Sequence, residues 1–462
     1  MKSFPVKTFL THLRPHLDEI AARWMFLCWG NSIFPGADKS EIKYLTTGVL
    51  PDDVPPEALE EKGILPVGVG GGFLDEHPVE GLSRKVGECA ATLVSNALKL
   101  QNDKPLQHVL EEIRHCDLTN QVKPTQLSSL VKLRHRRNPS DAPKVLEWTM
   151  RAIEALHKNG AKQVARDVYR GEAKQVFDKL LIEHRWDNVR SVEHVWNLIS
   201  QSEGNSHIYL TELVHIFKTL NRRTKRKSKE WLQEAIVDMY HDSVEFFKAV
   251  DVVNDRGNVT EFLSEGETFP VLTIHSDTDH ISQAARSRFC GYIALVIQRN
   301  TKGNTAIFLN TYNPHVKKEG LHLDDLIRMI RLREQTRLGY PQSQWQSLVA
   351  EGTLRRVRMW YYSKDGDMIL NGSTTTPDVK PSRLSLSEIL DTAQHAFKRE
   401  LVWKWRKQHA VASELQRHRG SFRTALVKNP ARFKLGASVN HVSVNLPTQQ
   451  EVFAELERIM VS

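Results

Sequence analysis

Two apolar segments near the N-terminus are each followed at once by a cluster of histidine and acidic residues. The first segment is Phe9-Leu10, after which His12, His16 and Asp18 fall within seven positions. Because strand side chains alternate sides, ligands this closely spaced belong on the turn at the carboxyl end of a strand, where the loops of an α/β fold converge. Imidazole and carboxylate together suit Mn²⁺, Fe²⁺ or Zn²⁺. Taken alone, the motif is equally typical of a polar turn with exposed histidines.

The second cluster follows Ile64-Leu65 and a glycine-rich turn, and it consists of Asp75, Glu76 and His77. Glycine lets the backbone pass close to an ion or a phosphate. The turn lacks the Lys-Ser/Thr of a phosphate-binding loop and the spacing of a dinucleotide fingerprint. We therefore predict a ligand loop at the same sheet edge as the first cluster, with Glu76 or His77, but not both, pointing into the shared cavity.

Length and charge narrow the class of protein. The 462 residues predict two or three domains, and the formal charge of +9 favours an anionic partner such as nucleic acid or a phosphorylated small molecule. No apolar stretch approaches the about 20 residues of a membrane helix, and there is no signal-peptide pattern, so we expect a cytoplasmic protein without membrane contact. The four cysteines are scattered, which favours free thiols over disulfides or a structural zinc.

The hydrophobic pattern divides the chain into four parts. Residues 1–140 alternate strand and helix signals, which predicts an α/β domain with a mostly parallel, doubly wound sheet. Residues 141–262 are predicted to be a helical connecting region, whose basic run Arg222 to Lys227 is more typical of a solvated helix end than of a nucleic-acid site. Strand signals over 263–400 predict a second, smaller α+β domain, and 401–462 form a basic C-terminal extension.

The order of these motifs resembles the DHH phosphoesterase superfamily, and within it the melanocyte-proliferating-gene type of exonuclease. The signature of that branch is Thr-His, His-x-Asp-Glu, Val-Gly-Gly and Asp-His-His. It is matched in order by Thr11-His12, His16 to Glu19, Val69 to Gly71, and Asp75 to His77. Asp117 lies where the fourth-motif aspartate of the superfamily falls, and Asn371-Gly372-Ser373 is similar to a final Gly-Gly-His turn that helps to hold the substrate.

The resemblance implies a metal-dependent phosphoesterase that hydrolyses phosphodiester bonds, as an exonuclease or an oligonucleotide phosphodiesterase. The implied cofactor is Mn²⁺ or another divalent cation, and the implied substrate is a single-stranded or short oligonucleotide or another phosphate ester. The implied metal ligands are His12, His16, Asp18, Asp75, Glu76 and Asp117, with Asp18 and His77 as catalytic residues. The candidate substrate-binding residues are Arg14, Arg84 and Lys85 near the ligand turns, and Asn371, Gly372 and Ser373. The oligomeric state is not predicted.

Two positions depart from the family pattern. The second-motif aspartate, which bridges two metals, falls at Gly68, and the first histidine of Asp-His-His is Glu76. Losing a bridging carboxylate removes a ligand from both ions, whereas a glutamate can still bind a hard cation through oxygen. The alternative function is therefore a catalytically eroded protein that binds nucleic acid or nucleotides, and hydrolysis of a non-nucleic phosphate ester is a third.

Overall fold

The chain divides into two compact units. A computed structural model describes residues 3–46, 50, 54–77, 85–119, 122–159, 166–201, 210, 213, 216, 222–256, 258–264, 266–363, 365–373 and 376–417. The first unit comprises the described residues up to Val252 together with Ser373–Val379. The second comprises Val253–Gly372 and the described residues from Lys380 onward.

The first unit is built around a three-stranded parallel sheet with the strand order β2-β1-β3. Its strands are β1 Thr8–His12, β2 Glu41–Leu45 and β3 Ile64–Pro66. In the register of the central strand, Leu10 lies opposite Lys43 on one side and Pro66 on the other. Since all three strands run in the same direction, the turns after β1 and β3 leave the sheet at one edge.

Nine described helices complete the first unit and share one core with its sheet. They are α1 Leu17–Trp29, α2 Pro56–Glu60, α3 Ala90–Ala97, α4 Lys104–Thr119, α5 Leu127–Arg137, α6 Ala142–Asn159, α7 Arg166–Glu183, α8 Val189–Ser200 and α9 Arg222–Arg256. Trp148 of α6 stacks on Trp231 of α9 with ring centroids 4.4 Å apart, and Arg134 of α5 pairs with Asp238 of α9 at 2.7 Å. The predicted connecting region is therefore packed into the same hydrophobic core as β1 and α1.

The second unit contains a seven-stranded sheet in the order β4-β5-β6-β7-β10-β9-β8. Its strands are β4 Asn258–Ser264, β5 Glu267–His275, β6 Leu295–Arg299, β7 Thr305–Leu309, β8 Gly352–Thr353, β9 Trp360–Tyr362 and β10 Met368–Asn371. Only β5 and β6 pair in parallel. The described helices here are α10 His280–Ala285, α11 Pro314–Glu319, α12 Asp324–Arg337, α13 Leu386–Ala396 and α14 Arg399–Arg417. Gly303 lies in the hairpin turn between β6 and β7, where Arg299 pairs with Thr305.

Two predicted boundaries of this region were wrong. Strand β4 begins at Asn258, inside the segment that had been predicted to be helical up to residue 262. Helix α14 crosses residue 400, and its Trp405 is buried against Leu332 and Leu348, so the chain there is part of the core. The rest of the predicted extension, from residue 418 onward, lies outside the described residues.

The protein is thus a mixed α/β protein with one small parallel sheet and one large, mostly antiparallel sheet. None of the described helices is long and apolar enough to cross a membrane. All four cysteines are free thiols, as their scattered positions predicted. The sheet of residues 1–140 was predicted to be mostly parallel, and its three strands are all parallel; the predicted doubly wound arrangement is not shown.

Candidate metal centre

Asp18 lies in the first turn of α1, directly after the turn that ends β1. His16 is the N-cap of this helix, and its backbone N–H donates to Glu19 at 2.6 Å, which closes a capping box. Acidic residues are favoured there because the N-terminus of a helix carries a partial positive charge. The Asp18 carboxylate also accepts a hydrogen bond of 3.3 Å from the backbone N–H of Ala90, the first residue of α3.

Asp18, Glu76 and Asp117 form a carboxylate triad from three separate segments of the chain. Each offers an oxygen, and the three oxygens lie within 4.8 Å of one another. Asp18 follows β1, Glu76 lies on the loop after β3, and Asp117 is near the end of α4. The exposed fraction is only 4% for Asp18 and 1% for Glu76. The structure therefore brings together one predicted ligand from each of the three predicted segments.

The three carboxylates repel one another in a poorly solvated space. Burial, followed by the charges of Asp117, Glu19 and Glu76, raises the pKa of Asp18 well above its ordinary value. Burial likewise raises the pKa of Glu76 to about 7, with His77 lowering it and Asp75 and Asp117 raising it. The cluster thus disfavours its own ionised form, which a divalent cation would stabilise.

The triad fits a hard divalent cation. Glu76 Oε2 is buried and has no hydrogen-bond partner among the described residues. A buried carboxylate oxygen without a partner costs free energy, and a cation would satisfy it. An all-carboxylate set suits Mn²⁺, Mg²⁺ or Ca²⁺, whereas the two-histidine motif of the sequence had favoured Mn²⁺, Fe²⁺ or Zn²⁺. Mn²⁺ is common to both ligand sets.

The predicted histidine ligands lie around this triad. His16 forms a further group with Asp18 and Glu19, whose ligand atoms also lie within 4.8 Å of one another. His12 belongs to none of these groups in the described part of the chain, but its ring centroid is 6.3 Å from those of His16 and His77. The four residues of this turn that carry metal-ligand atoms, His12, His16, Asp18 and Glu19, therefore lie at the same edge of the sheet.

Asp75 and His77 form a hydrogen-bonded pair beside Glu76. Asp75 Oδ1 accepts from the Nδ1 of His77 at 2.8 Å, and Asp75 Oδ2 accepts from the backbone N–H of Gly71 at 2.6 Å. These bonds outweigh burial and lower the pKa of Asp75. Glu76 belongs to the carboxylate triad, whereas His77 is grouped only with Asp75 and Glu76, so the expectation that only one of Glu76 and His77 points into the cluster stays a prediction. Asp75 therefore orients His77, rather than facing the carboxylate triad.

One cationic side chain, Lys132, interacts with the cluster, and a second, Arg14, lies on the turn that follows β1. Arg14, which the sequence had suggested, has a buried Nε without a hydrogen-bond partner among the described residues. Lys132 of α5 interacts electrostatically with Asp117 and Asp18, and also with His16. Sequence reasoning missed Lys132 because α5 carries no motif, and only the packing of α5 against α1 places it there.

Lys85 has a structural role instead of the predicted grip on phosphate. Its Nζ donates to the backbone carbonyls of Gly72, Phe73 and Asp75 at 3.0, 2.9 and 2.6 Å. An ammonium group has three donors, so these bonds use all of them. Lys85 therefore closes the glycine-rich loop, while Arg84 lies outside the described residues.

Replacing Lys85 by methionine is expected to lower the free energy of unfolding by about 1 to 3 kcal/mol, because three carbonyls lose a charged donor. Urea unfolding followed by circular dichroism measures this. The matched control is Lys62→Met, at an exposed lysine of the same unit. An unchanged unfolding midpoint together with a raised KM for a phosphodiester would instead assign Lys85 to substrate binding.

Asn371, which was predicted to lie in a substrate-binding turn, is instead part of the buried interior of the second unit. This side chain is fully buried, donating to the carbonyls of Met359 and Lys380 and accepting from the backbone N–H of Ser382. Gly372 adopts a φ of 75°, which turns the chain, and Ser373 Oγ bonds to Thr376 Oγ1 at 2.9 Å. Asn371 therefore cannot reach a substrate, and the similarity of this segment to a substrate-holding turn is not matched by its packing.

Comparisons with known proteins do not assign the chain to a family. No protein-family model matches the sequence, and no curated protein matches it. Among solved structures, the chain is similar to the crystal structure of an uncharacterized protein from Helicobacter pylori G27, at 10% identity and a TM-score of 0.19, over 85% of this chain and 99% of that chain. A TM-score this low supports no conclusion about fold or function. The candidate site therefore rests on its own geometry.

Proposed function

We propose that the protein is a divalent-cation-dependent phosphodiesterase whose cation is held by Asp18, Glu76 and Asp117. The observation that carries the proposal is the convergence of these three carboxylates, two of them buried and Asp117 half-buried, with one Glu76 oxygen that has no hydrogen-bond partner among the described residues. Buried like charges are unfavourable unless a cation compensates them. As part of the same proposal, we assign the first unit to the DHH type of fold and the protein to the cytoplasm.

The residues of the chain have distinct tasks in this reaction. When bound, a divalent cation acidifies water and neutralises the charge that develops on the phosphoryl oxygens. Asp75 accepts from Nδ1 of His77, so that the opposite ring nitrogen, Nε2, is the one that donates a proton to the leaving oxygen. The ionised Asp75 also stabilises the protonated form of that ring. The side chain of His77 is 40% exposed, which gives a substrate access to it.

A phosphodiester is favoured as substrate by the cations around the triad. Arg14 and Lys132 would bind the phosphate oxygens that point away from the metal. The net charge of +9 would attract a polyanion, which supports a single-stranded or short oligonucleotide over a small phosphate ester. The side chains of the basic run Arg222 to Lys227 and all residues after Arg417 lie outside the described residues, so neither enters this argument.

The proposal is tested by metal activation. Protein treated with a chelator should hydrolyse neither bis(4-nitrophenyl) phosphate nor a labelled single-stranded oligonucleotide, and added Mn²⁺ should restore both activities. Titration calorimetry should show Mn²⁺ binding to the same protein. If Mn²⁺ neither binds nor activates, the phosphodiesterase is ruled out. Oligonucleotide binding that persists without hydrolysis would then identify the eroded binding protein.

Affinity for an oligonucleotide should decrease linearly with salt on a double-logarithmic plot. If several phosphates are contacted, the slope is expected to be about −0.7 for each contact with a single strand. Fluorescence anisotropy of a labelled oligonucleotide in the presence of Ca²⁺, or with an inactive variant, measures it without cleavage. Bis(4-nitrophenyl) phosphate is the control, since the KM for a single charge should change much less. Salt-independent binding would argue for a small or weakly charged substrate.

A further inference from the structure

Glu19 is buried among three hydrogen-bond donors of the turn that follows β1. Its Oε1 accepts from Thr11 Oγ1 at 3.1 Å and from His12 Nδ1 at 2.5 Å. Its Oε2 accepts from the backbone N–H of His16 at 2.6 Å. One carboxylate therefore holds the strand end, the turn and the helix start together.

Gly68 lies directly against this carboxylate. A Cβ at position 68 would meet Glu19 Oε1 at 2.7 Å, Cγ at 2.9 Å and Cδ at 3.1 Å. Gly68 also has a φ of 65°, a conformation that glycine adopts freely and that aspartate and asparagine tolerate better than other residues. The carboxylate of Glu19 thus fills the space that a side chain at position 68 would occupy.

We propose that Glu19 is the positioning residue of the metal centre and supplies, from α1, the carboxylate that position 68 lacks. The inference rests on the proposed function and adds His12 to the residues that hold the cation, because it concerns how Nε2 of His12 is presented to that cation. By accepting from Nδ1 of His12, Glu19 keeps the proton on that nitrogen and leaves the lone pair on Nε2. A carboxylate behind a histidine in this way fixes the ring and raises its basicity as a ligand.

The arrangement predicts that an aspartate at position 68 can replace the carboxylate of Glu19. Glu19→Ala should weaken Mn²⁺ binding at least about tenfold, which is the lower end for loss of such a partner. Adding Gly68→Asp should restore most of the affinity, since its carboxylate would enter the space that Glu19 vacates. The matched control is Glu19→Ala with Gly68→Ala, which adds a Cβ without a carboxylate and should restore nothing. A transfer variant that binds Mn²⁺ no better than this control would overturn the proposal.

The tautomer of His12 provides a readout that needs no metal. In the metal-free wild type, ¹⁵N-histidine spectra should show His12 protonated at Nδ1 and unprotonated at Nε2 when the ring is neutral. Glu19→Ala should lose this preference, and the transfer variant should regain it. An unchanged tautomer in Glu19→Ala would contradict the positioning role. The signal of His12 can be assigned by its absence from the spectrum of a His12→Asn variant.

Gly68→Ala in the wild-type background keeps the test decisive if Glu19→Ala fails to fold. The added Cβ displaces the Glu19 carboxylate, so the His12 tautomer and the Mn²⁺ affinity should change in the same direction as in Glu19→Ala. Wild-type behaviour of Gly68→Ala would contradict the proposal. The two proposals fail separately: absence of Mn²⁺ binding by the wild type removes the metal centre, whereas an unchanged tautomer removes only the role of Glu19.

Discussion

Replacing Asp18 by asparagine is expected to abolish Mn²⁺-dependent hydrolysis of bis(4-nitrophenyl) phosphate. Asparagine keeps the volume of the side chain and removes the charge that a divalent cation needs. Asp18 is a member both of the carboxylate triad and of the group with His16 and Glu19, so its neutralisation affects both groups. The loss should exceed the about 10- to 100-fold that follows from removing an outer-shell partner. Turnover at saturating Mn²⁺ measures it.

The same substitution should leave the metal-free protein folded and slightly more stable. Burial and three neighbouring carboxylates disfavour the ionised form of Asp18, and asparagine removes that repulsion. Its side-chain oxygen can still accept the hydrogen bond from the backbone of Ala90. We expect a gain of about 0.5 to 2 kcal/mol in the free energy of unfolding at neutral pH, the range of common stabilising substitutions.

The matched control for Asp18→Asn is Asp187→Asn, at an exposed aspartate of the same unit. It should change neither turnover nor stability measurably, because surface substitutions usually lie within about 0.5 kcal/mol. Equal turnover of wild type and Asp18→Asn would remove Asp18 from the mechanism. A metal-free variant that is less stable than the wild type would show that Asp18 stabilises the fold as an anion, against the electrostatics described here.

The convergence of the site could be predicted from sequence because it depends on strand direction. Once β1 and β3 were predicted to run parallel in one sheet, their following turns had to share an edge, and their pairing as neighbours brings Asp18 and Glu76 together. To place Asp117 beside them, it was enough to predict a helix that returns to the same edge of the sheet. Strong periodicity and the chain order of these elements were sufficient for that part of the fold.

The role of each side chain could not be predicted, because hydrogen-bond partners depend on tertiary contacts. Lys85 and Arg14 look alike in sequence as basic residues beside a ligand turn, yet Lys85 bonds to three carbonyls while Arg14 keeps a buried Nε without a partner among the described residues. Asn371 follows an apolar run like a functional turn but is fully buried. Glu19 had a visible signal, the capping box that begins with His16, but that pattern indicates only a helix start.

The division of the chain was mispredicted where local periodicity and long-range packing diverge. The segment after residue 140 is helical, as expected, but Trp148 and Trp231 place it in the core of the first unit. Sequence periodicity identifies an apolar face without showing what covers it. Similarly, β4 follows a long helix after the turn-type residues Asn254, Asp255 and Gly257, but its pairing with β5 from Asn258 to Ser264 is a tertiary contact.

Metal-free protein is expected to lose stability as the pH rises from about 4.5 to about 7, and Mn²⁺ should reverse the trend. Glu76 carries the effect, since its pKa is raised from 4.5 to about 7 in the folded protein. A carboxyl group with a raised folded-state pKa contributes stability that is complete below the unfolded-state pKa and is lost as the pH passes the folded-state pKa. At about 1.4 kcal/mol per pH unit, the loss is at most about 3.5 kcal/mol.

Glu76→Gln isolates this contribution, because glutamine keeps the side-chain shape and cannot ionise. Urea unfolding at pH 5 and pH 8 should show a smaller loss of stability for Glu76→Gln than for the metal-free wild type. Saturating Mn²⁺ should stabilise the wild type more at pH 8 than at pH 5, since metal binding requires deprotonated ligands, and by about 2.7 kcal/mol at a hundred times Kd. The variant should gain less from Mn²⁺ at pH 8, having one ligand fewer. The same pH dependence in wild type and variant would mean that Glu76 is already ionised without a cation, and the electrostatic argument for the metal centre would then fail.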